Sequence, residues 1–430
     1  MPSFLRIKDK LFYGWVVVVA SFFVGTTIIG IRLSFGVFFK SIESEFNLTR
    51  TVTSAVVSTN MILAGVFALL GGWAIDRYGP RIVVFLMGLF TGLSLLLTSQ
   101  TTALWQLFIT YSLLLSIGTS ATYVMIMTTV SRWFDKKRGL ALGIASAGAG
   151  LGTVVMAPFA TYLISNFDWR MAYLVVGLIA WLIVIPLSRL LRKDPYEIGA
   201  LPDGVILQSQ DIAGEKTSLW AAGLSLSQAF KTRTFWFFIF IFLLSAFCLL
   251  LVFTHLVPHV TDLGFSAGGA AAVLSLMSGV SIAGRVLVGT VSDRIGRKRS
   301  VIICSLLQVG AMVWLIWAQE LWMLYLFAFA YGFAYGGRAA VMGGLVGDTF
   351  GVGKMGAILG VLEFGWAMGA AIGPAMGGLI FDVSNSYSVA FLVGAAAMLI
   401  VALLTALLRQ ETNRSFLEGL VKQVPLDYHL

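Results

Sequence analysis

A chain of 430 residues that is 58% hydrophobic and only 11% charged, with a mean hydropathy of +0.91, carries more apolar surface than one water-soluble core hides and reads as a polytopic membrane protein. The net charge of +9 does not indicate nucleic acid, because about 23 of the 29 Lys and Arg residues fall in the tails and loops of one side of the topology drawn below, the bias of cytoplasmic loops. Cys248 and Cys304 both lie in apolar runs, which excludes a disulfide framework and metal-ligand spacing.

Met1–Lys10 places Arg6, Lys8 and Lys10 ahead of an apolar run, as a signal peptide does. The run from Phe12 to Phe39 is far longer than an h-region of about 7–15 residues, so it is predicted to be a retained first span. Apolar segments of spanning length occur at 14–39, 53–73, 82–99, 104–128, 140–163, 172–190, 235–257, 268–290, 300–318, 321–345, 355–379 and 388–408. They predict an all-α membrane protein with twelve transmembrane helices in two pseudo-symmetric six-helix bundles and both termini cytoplasmic, in the plasma (inner) membrane. The expected divisions are a first bundle over 1–190, a cytoplasmic linker over 191–233, a second bundle over 234–410 and a cytoplasmic tail over 411–430. The end of the linker, Leu224–Thr234, is expected to form a short amphipathic helix on the membrane face.

The two bundles share a sequence repeat. GGWAIDRYGPR (Gly71–Arg81) and VGTVSDRIGRK (Val288–Lys298) match as G-x-x-x-D-R-x-G, with Asp76 and Asp293 217 residues apart. The same offset aligns Gly139 and Gly143 with Gly356 and Gly360. In such a motif the first glycine allows close helix approach, the aspartate accepts from the N-terminal amides of a neighbouring helix, and the basic residues meet lipid phosphate. Asp76, Arg77, Gly79, Asp293, Arg294 and Gly296 are therefore the expected gating and scaffold residues. Further along, Gly148 and Gly152 in the fifth span, and Gly365, Gly369, Gly373 and Gly377 in the eleventh, form stripes on one helix face that suit close packing, sliding or static.

With this motif after the second and eighth spans, the chain resembles the major facilitator superfamily along essentially its whole length. The resemblance implies alternating access between the two bundles, with a site at their interface and no cofactor.

Few ionisable residues lie well inside the spans: Arg32, Arg285, Arg338 and Glu363, with His255 near the outer end of the seventh. Such residues are functional candidates because a charge at the bilayer centre costs roughly 2.5–3.5 kcal/mol. At a rise of about 1.5 Å per residue, Arg285, Arg338 and Glu363 stand roughly 12–15 Å above the cytoplasmic interface, in one layer confined to the second half. Their counterparts in the repeat are Ala68, Ala121 and Ser146. Arg32, roughly 25 Å along its span, is expected to snorkel outward or to line the outer mouth.

A planar guanidinium in that layer suits a carboxylate. Alternatively Arg285 is held in a permanent ion pair with Glu363. Tyr123, Tyr331 and Tyr335 are candidates to offer a hydroxyl and an apolar face to a small substrate, and Tyr335 shares a helix face with Arg338. Glu363 and His255 are the proton-coupling candidates. Glu363 is expected to pair with Arg285 in the empty site and to take a proton when an incoming carboxylate displaces it.

YGWVVVVASF and GVFFKSIESEF in the first span, THLVPHVTDLGFS after the seventh and SIAGRVLVG in the eighth resemble a narrower branch, the monocarboxylate transporters and their bacterial relatives, including the oxalate/formate antiporter group. The resemblance implies that Arg285 binds a substrate carboxylate. Mammalian members carry a lysine where this chain has Leu33 and an aspartate where it has Ser281, which puts both positions at the site and sets aside the mammalian scheme of proton coupling. The oxalate exchangers carry a second basic residue in the eleventh span, where this chain has Glu363 and Trp366, which disfavours oxalate.

The expected function is transport of small, lactate- or pyruvate-like monocarboxylates in symport with H+, with organic-anion exchange as the alternative, membrane lipids as a further partner and an ancillary protein left open. A receptor on the same fold would be expected to carry a large soluble output segment, which neither tail nor linker supplies. Export of amphiphilic drugs would call for acidic residues, whereas this layer is net basic.

Overall fold

The computed structural model describes residues 12–48, 50–204 and 223–408. The basic N-terminal stretch, most of the linker and the 411–430 tail lie outside the described residues. Among the described residues eleven helices are long and apolar enough to cross a membrane: α1 (Tyr13–Phe39), α2 (Ala55–Tyr78), α3 (Pro80–Ser99), α4 (Leu104–Trp133), α5 (Arg138–Asn166), α6 (Trp169–Ser188), α7 (Arg233–Asp262), α8 (Gly268–Ile295), α9 (Arg297–Trp317), α11 (Met355–Ser384) and α12 (Ser388–Leu407). The twelfth, α10 (Leu321–Phe350), is equally long at 30 residues, but its glycines, tyrosines and Arg338 lower its hydropathy. The twelve-helix expectation therefore stands. Between the halves a short helix, Leu226–Phe230, is closed by a reciprocal cap in which Ser225 Oγ accepts from Gln228 N at 3.3 Å and Gln228 Oε1 accepts from Ser225 N at 2.8 Å.

Packing repeats with a shift of six helices. α1 lies on α5 as α7 lies on α11, α2 on α4 as α8 on α10, and α3 on α6 as α9 on α12. The cross-half pairs obey the same symmetry, α2 with α11 and α8 with α5. Glycines make these approaches possible, since a Cβ at Gly72 would overlap the backbone of Gly356, and one at Gly139 the backbone of Gly289. The glycines of α5 and α11 also divide along their length. Gly139 and Gly143, like Gly356 and Gly360, face the opposite half, whereas Gly148 and Gly152 face α1, and Gly369 and Gly373 face α7.

Two spans depart from regular helix in ways the apolar pattern does not reveal. α1 breaks at Ser34, whose hydroxyl donates to Ile31 O at 2.9 Å, dividing it into Tyr13–Leu33 and Phe35–Glu45. α4 contains a π-helical stretch, Phe108–Leu114. Side chains on neighbouring helices take up its carbonyls: Asn60 donates to Tyr111 O and Ser112 O at 3.2 and 3.3 Å, and Ser94 to Thr110 O at 2.7 Å. In hydrocarbon, where no water can compensate, such partners make an irregular turn tolerable.

One end of the molecule, which gathers the basic loops and is called the basic end below, is closed across the halves. Asp76 at the end of α2 accepts from the first amides of α11, Gly356 N at 3.1 Å and Ala357 N at 2.8 Å, and from Arg132 at 2.7 Å. Asp293 at the end of α8 accepts from the first amides of α5, Gly139 N at 2.7 Å and Leu140 N at 3.0 Å. A carboxylate there satisfies amides that a helix N-terminus leaves without partners and meets the positive end of the helix dipole. Arg132 further donates to Val352 O and Gly353 O, both at 3.1 Å, and Arg138 to Asp348 at 2.7 Å. Asp348 also holds Arg297. Gly79 and Gly296 turn the chain after each motif at φ of 81° and 93°, backbone that favours glycine. Arg77 is exposed and stacks on Trp73 at 5.3 Å, and Arg294 is exposed.

Asp76→Ala would strip the cap from α11 and leave Arg132 without its carboxylate, a loss of about 2 kcal/mol or more. The expected outcome is faster alkylation of a cysteine introduced at Ala357 by a water-soluble maleimide. An unchanged rate in the Asp76→Ala background would show that the cap does not hold this end closed.

Candidate functional site

Beyond Gly150 on α5, where a Cβ would meet Ile282 of α8, and Gly65 on α2, where it would meet Ala367 of α11, the glycine contacts across the halves cease. There the halves enclose a cavity of about 240 Å³. Its polar wall comprises Arg32, Tyr123, Ser278, Ser281, Arg285, Tyr335, Arg338 and Glu363, and its apolar wall includes Leu33, Leu249, Phe253 and Trp366.

Arg285 is the most telling member. It is 6% exposed, and Nη2 donates to Tyr335 Oη at 3.2 Å. Its Nε is buried without a partner. The guanidinium lies 5.5 Å from the centre of the Tyr335 ring, so the tyrosine holds it by both hydroxyl and ring face. Among the described residues no carboxylate lies within ion-pair distance of Arg285. The permanent pair with Glu363 considered from the sequence is thus absent, because the two stand on different walls of the cavity.

Glu363 has no ion pair among the described residues, and the charge that acts on it most is Arg32 of α1. Arg32 lines the cavity and does not snorkel away from it, so the charged layer draws on both halves and is not confined to the second. Arg338 is buried and neutrally partnered, Nε with Gln308 Oε1 at 3.0 Å and Nη1 with Ser245 Oγ at 2.6 Å. Gln308, a polar residue in the ninth span, is the feature that sequence reasoning missed here.

Tyr123, on α4, reaches across to donate to Ala339 O of α10 at 3.3 Å. Ser281 Oγ donates to Ser278 O at 2.7 Å, and both line the cavity. Leu33, half exposed, stands at the mammalian lysine position on the cavity wall. Two expected residues are elsewhere. Tyr331 is fully buried against Phe327, with its hydroxyl on Cys248 O at 3.4 Å, because its position on α10 faces the interior of the second half. His255 sits between α7 and α11, where the missing side chain of Gly377 leaves room for its ring, with Nε2 at 2.9 Å from Pro374 O. Both stand outside the cavity. Arg132, Arg138 and Asp348, which carried no signal in the sequence, are structural residues of the closed end.

The arrangement offers a small anion one buried, half-satisfied guanidinium, two tyrosine hydroxyls and an apolar wall. Such a set binds a compact molecule with a charged end and an uncharged body.

The family model described as Major Facilitator Superfamily matches residues 15–296 and 260–423. Monocarboxylate transporter 13 of Rattus norvegicus is 28% identical over 391 residues, covering 90% of this chain and 87% of its own, and monocarboxylate transporter 11 of Homo sapiens is 26% identical over 396 residues, covering 90% and 81%. Among solved structures, the transporter FucP in its outward conformation superposes with a TM-score of 0.71 at 12% identity, covering 92% of this chain and 98% of its own. The human organic anion transporter MFSD10 superposes with a TM-score of 0.65 at 18% identity, covering 91% and 99%. The chain belongs to the Major Facilitator Superfamily, a family of membrane transporters and not of enzymes, and is similar along most of its length to the monocarboxylate transporters.

Proposed function

We propose that the protein carries small organic monocarboxylates of the lactate or pyruvate kind across the plasma membrane, in symport with a proton, by rocking its two bundles about the site between them. The observation that carries this reading is Arg285, 6% exposed on the wall of a cavity of about 240 Å³, with one tyrosine partner, no carboxylate partner among the described residues and an Nε without a hydrogen-bond partner. A buried guanidinium in that condition calls for an anion to complete it. Tyr335 orients it, and the apolar wall accepts the body of the substrate. With the termini and basic loops on the cytoplasmic side, the closed end is the inner one and the cavity faces outward.

The proton is assigned to Glu363, which supplies a carboxylate to the cavity wall. A transported anion and a proton together add no net charge, so the loaded carrier crosses the membrane potential without electrical work. A second reading, anion exchange, is favoured by the cavity's formal surplus of two positive charges, Arg32, Arg285 and Arg338 against Glu363. An empty carrier with that surplus reorients poorly.

Reconstituted into liposomes, the protein is expected to take up labelled L-lactate or pyruvate into empty vesicles when the outside is acidic. Uptake that requires substrate loaded on the far side would establish exchange instead. Arg285→Lys keeps the charge but loses paired donation, and uptake should fall roughly 30- to 150-fold for about 2–3 kcal/mol of binding. Normal saturable uptake by that variant would remove Arg285 from the site. Glu363→Gln is expected to abolish acid-driven accumulation while sparing exchange, and retained accumulation would remove Glu363 as the proton carrier.

A further inference from the structure

Arg32 and Glu363 are the charges of the cavity wall that the rest of the protein leaves unused. They come from opposite halves, α1 and α11, and each is a principal electrostatic partner of the other. No hydrogen bond or ion pair within 4 Å joins them or ties either to another described residue. Elsewhere the interior arginines have partners, Arg132 with Asp76 at 2.7 Å, Arg138 with Asp348 at 2.7 Å, and Arg338 with Gln308 and Ser245. Opposite charges facing each other in a space of low dielectric attract strongly unless the scaffold keeps them apart.

The scaffold does so. α1 is fixed within the first half by Gly30 against Gly152, and its outer segment by Phe38 stacked on Tyr173 at 3.9 Å. α11 is fixed within the second half by Gly369 and Gly373 against α7. Each helix is thus held to its own half, so rocking of one half against the other changes the separation of the two side chains.

We propose that Arg32 is the positioning residue of proton coupling: when the halves close over the loaded cavity, its guanidinium meets Glu363 and drives off the proton. This rests on the reading of Glu363 as the proton carrier. With the halves apart, the Glu363 carboxylate takes a proton from water in the cavity. On closure the O–H bond breaks, the proton passes to water on the newly opened side, and the carboxylate remains as the partner of Arg32. The guanidinium stays charged throughout, and an adjacent cation favours the ionised carboxyl.

The other groups around Glu363 do not fill this role. Arg285, from α8, is engaged with Tyr335 of α10, and Arg338, also of α10, with Gln308 and Ser245. Tyr123 of α4 donates to Ala339 O. α7 brings Ser245 with Phe242, Leu249, Leu250 and Phe253, and α2 brings Met61. Trp366 is on α11 itself, on the cavity wall.

The test compares wild type, Arg32→Gln, Arg32→Lys and Glu363→Gln in liposomes with labelled L-lactate. A gradient of one pH unit supports about tenfold accumulation in a one-to-one symporter. The expected result is that Arg32→Gln still exchanges the substrate but only equilibrates it under the pH gradient, and that accumulation is restored by Arg32→Lys. Accumulation by Arg32→Gln equal to wild type, where Glu363→Gln has none, overturns the role of Arg32 and leaves Glu363 as the carrier. Accumulation by Glu363→Gln removes the reading beneath it. Loss of both accumulation and exchange in Arg32→Gln makes Arg32 a substrate-binding residue and overturns the proposal. A readout independent of substrate is the pH dependence of Trp366 fluorescence, taken as the difference from Trp366→Phe. Its midpoint should move to higher pH in Arg32→Gln and vanish in Glu363→Gln, and an unmoved midpoint in Arg32→Gln sinks the proposal.

Discussion

Two carboxylates, each reaching into the other half of the molecule, govern the shape of everything between them. Asp76 and Asp293 cap the first turns of α11 and α5, and those caps bring the glycines of the basic end into backbone contact. With that end shut, the halves diverge towards the other, and the space between them becomes the cavity that holds Arg285. The cavity is in this sense a by-product of helix capping, since amides at two helix starts need acceptors and the neighbouring half supplies them.

The scaffold was legible because it is written twice. The 217-residue offset ties motif to motif and Gly139 to Gly356, and in the structure the paired positions make equivalent contacts. Arg285, Arg338 and Glu363 were legible as charges in apolar runs, where any charge is conspicuous. Their partners were not. Counting residues along a helix gives height in the membrane but not the direction a side chain faces, so Arg285 and Glu363, at equal height, stand on different walls. Tyr331 packs into the core and Tyr335 lines the cavity. Arg32, counted higher along its span, lines the same cavity as the others. Gln308 gave no signal, since a lone amide in a span looks like tolerated polarity until the arginine it serves is seen.

The halves share one architecture, while the buried charges follow another rule. The cavity-wall arginines Arg285 and Arg338 belong to the second half, and their counterparts in the first, Ala68 and Ala121, are small and neutral. The first half contributes Arg32 from α1, a helix outside the repeated motif. Duplication thus supplied the frame, and later divergence supplied the chemistry.

The ion pairs at the closed end have a kinetic meaning. Asp76 shares a half with Arg132, and Asp348 shares a half with Arg297, while Arg138 to Asp348 crosses between halves. When the basic end separates, the two caps, the Arg138–Asp348 bond and the bonds from Arg132 to Val352 O and Gly353 O are lost, yet Asp76 and Asp348 each keep a guanidinium from their own side. Neither is ever stranded bare in a poorly hydrated crevice, and the barrier to opening stays free of that desolvation cost. A gate built this way holds firmly when shut and still turns over, because its charges change company without losing it.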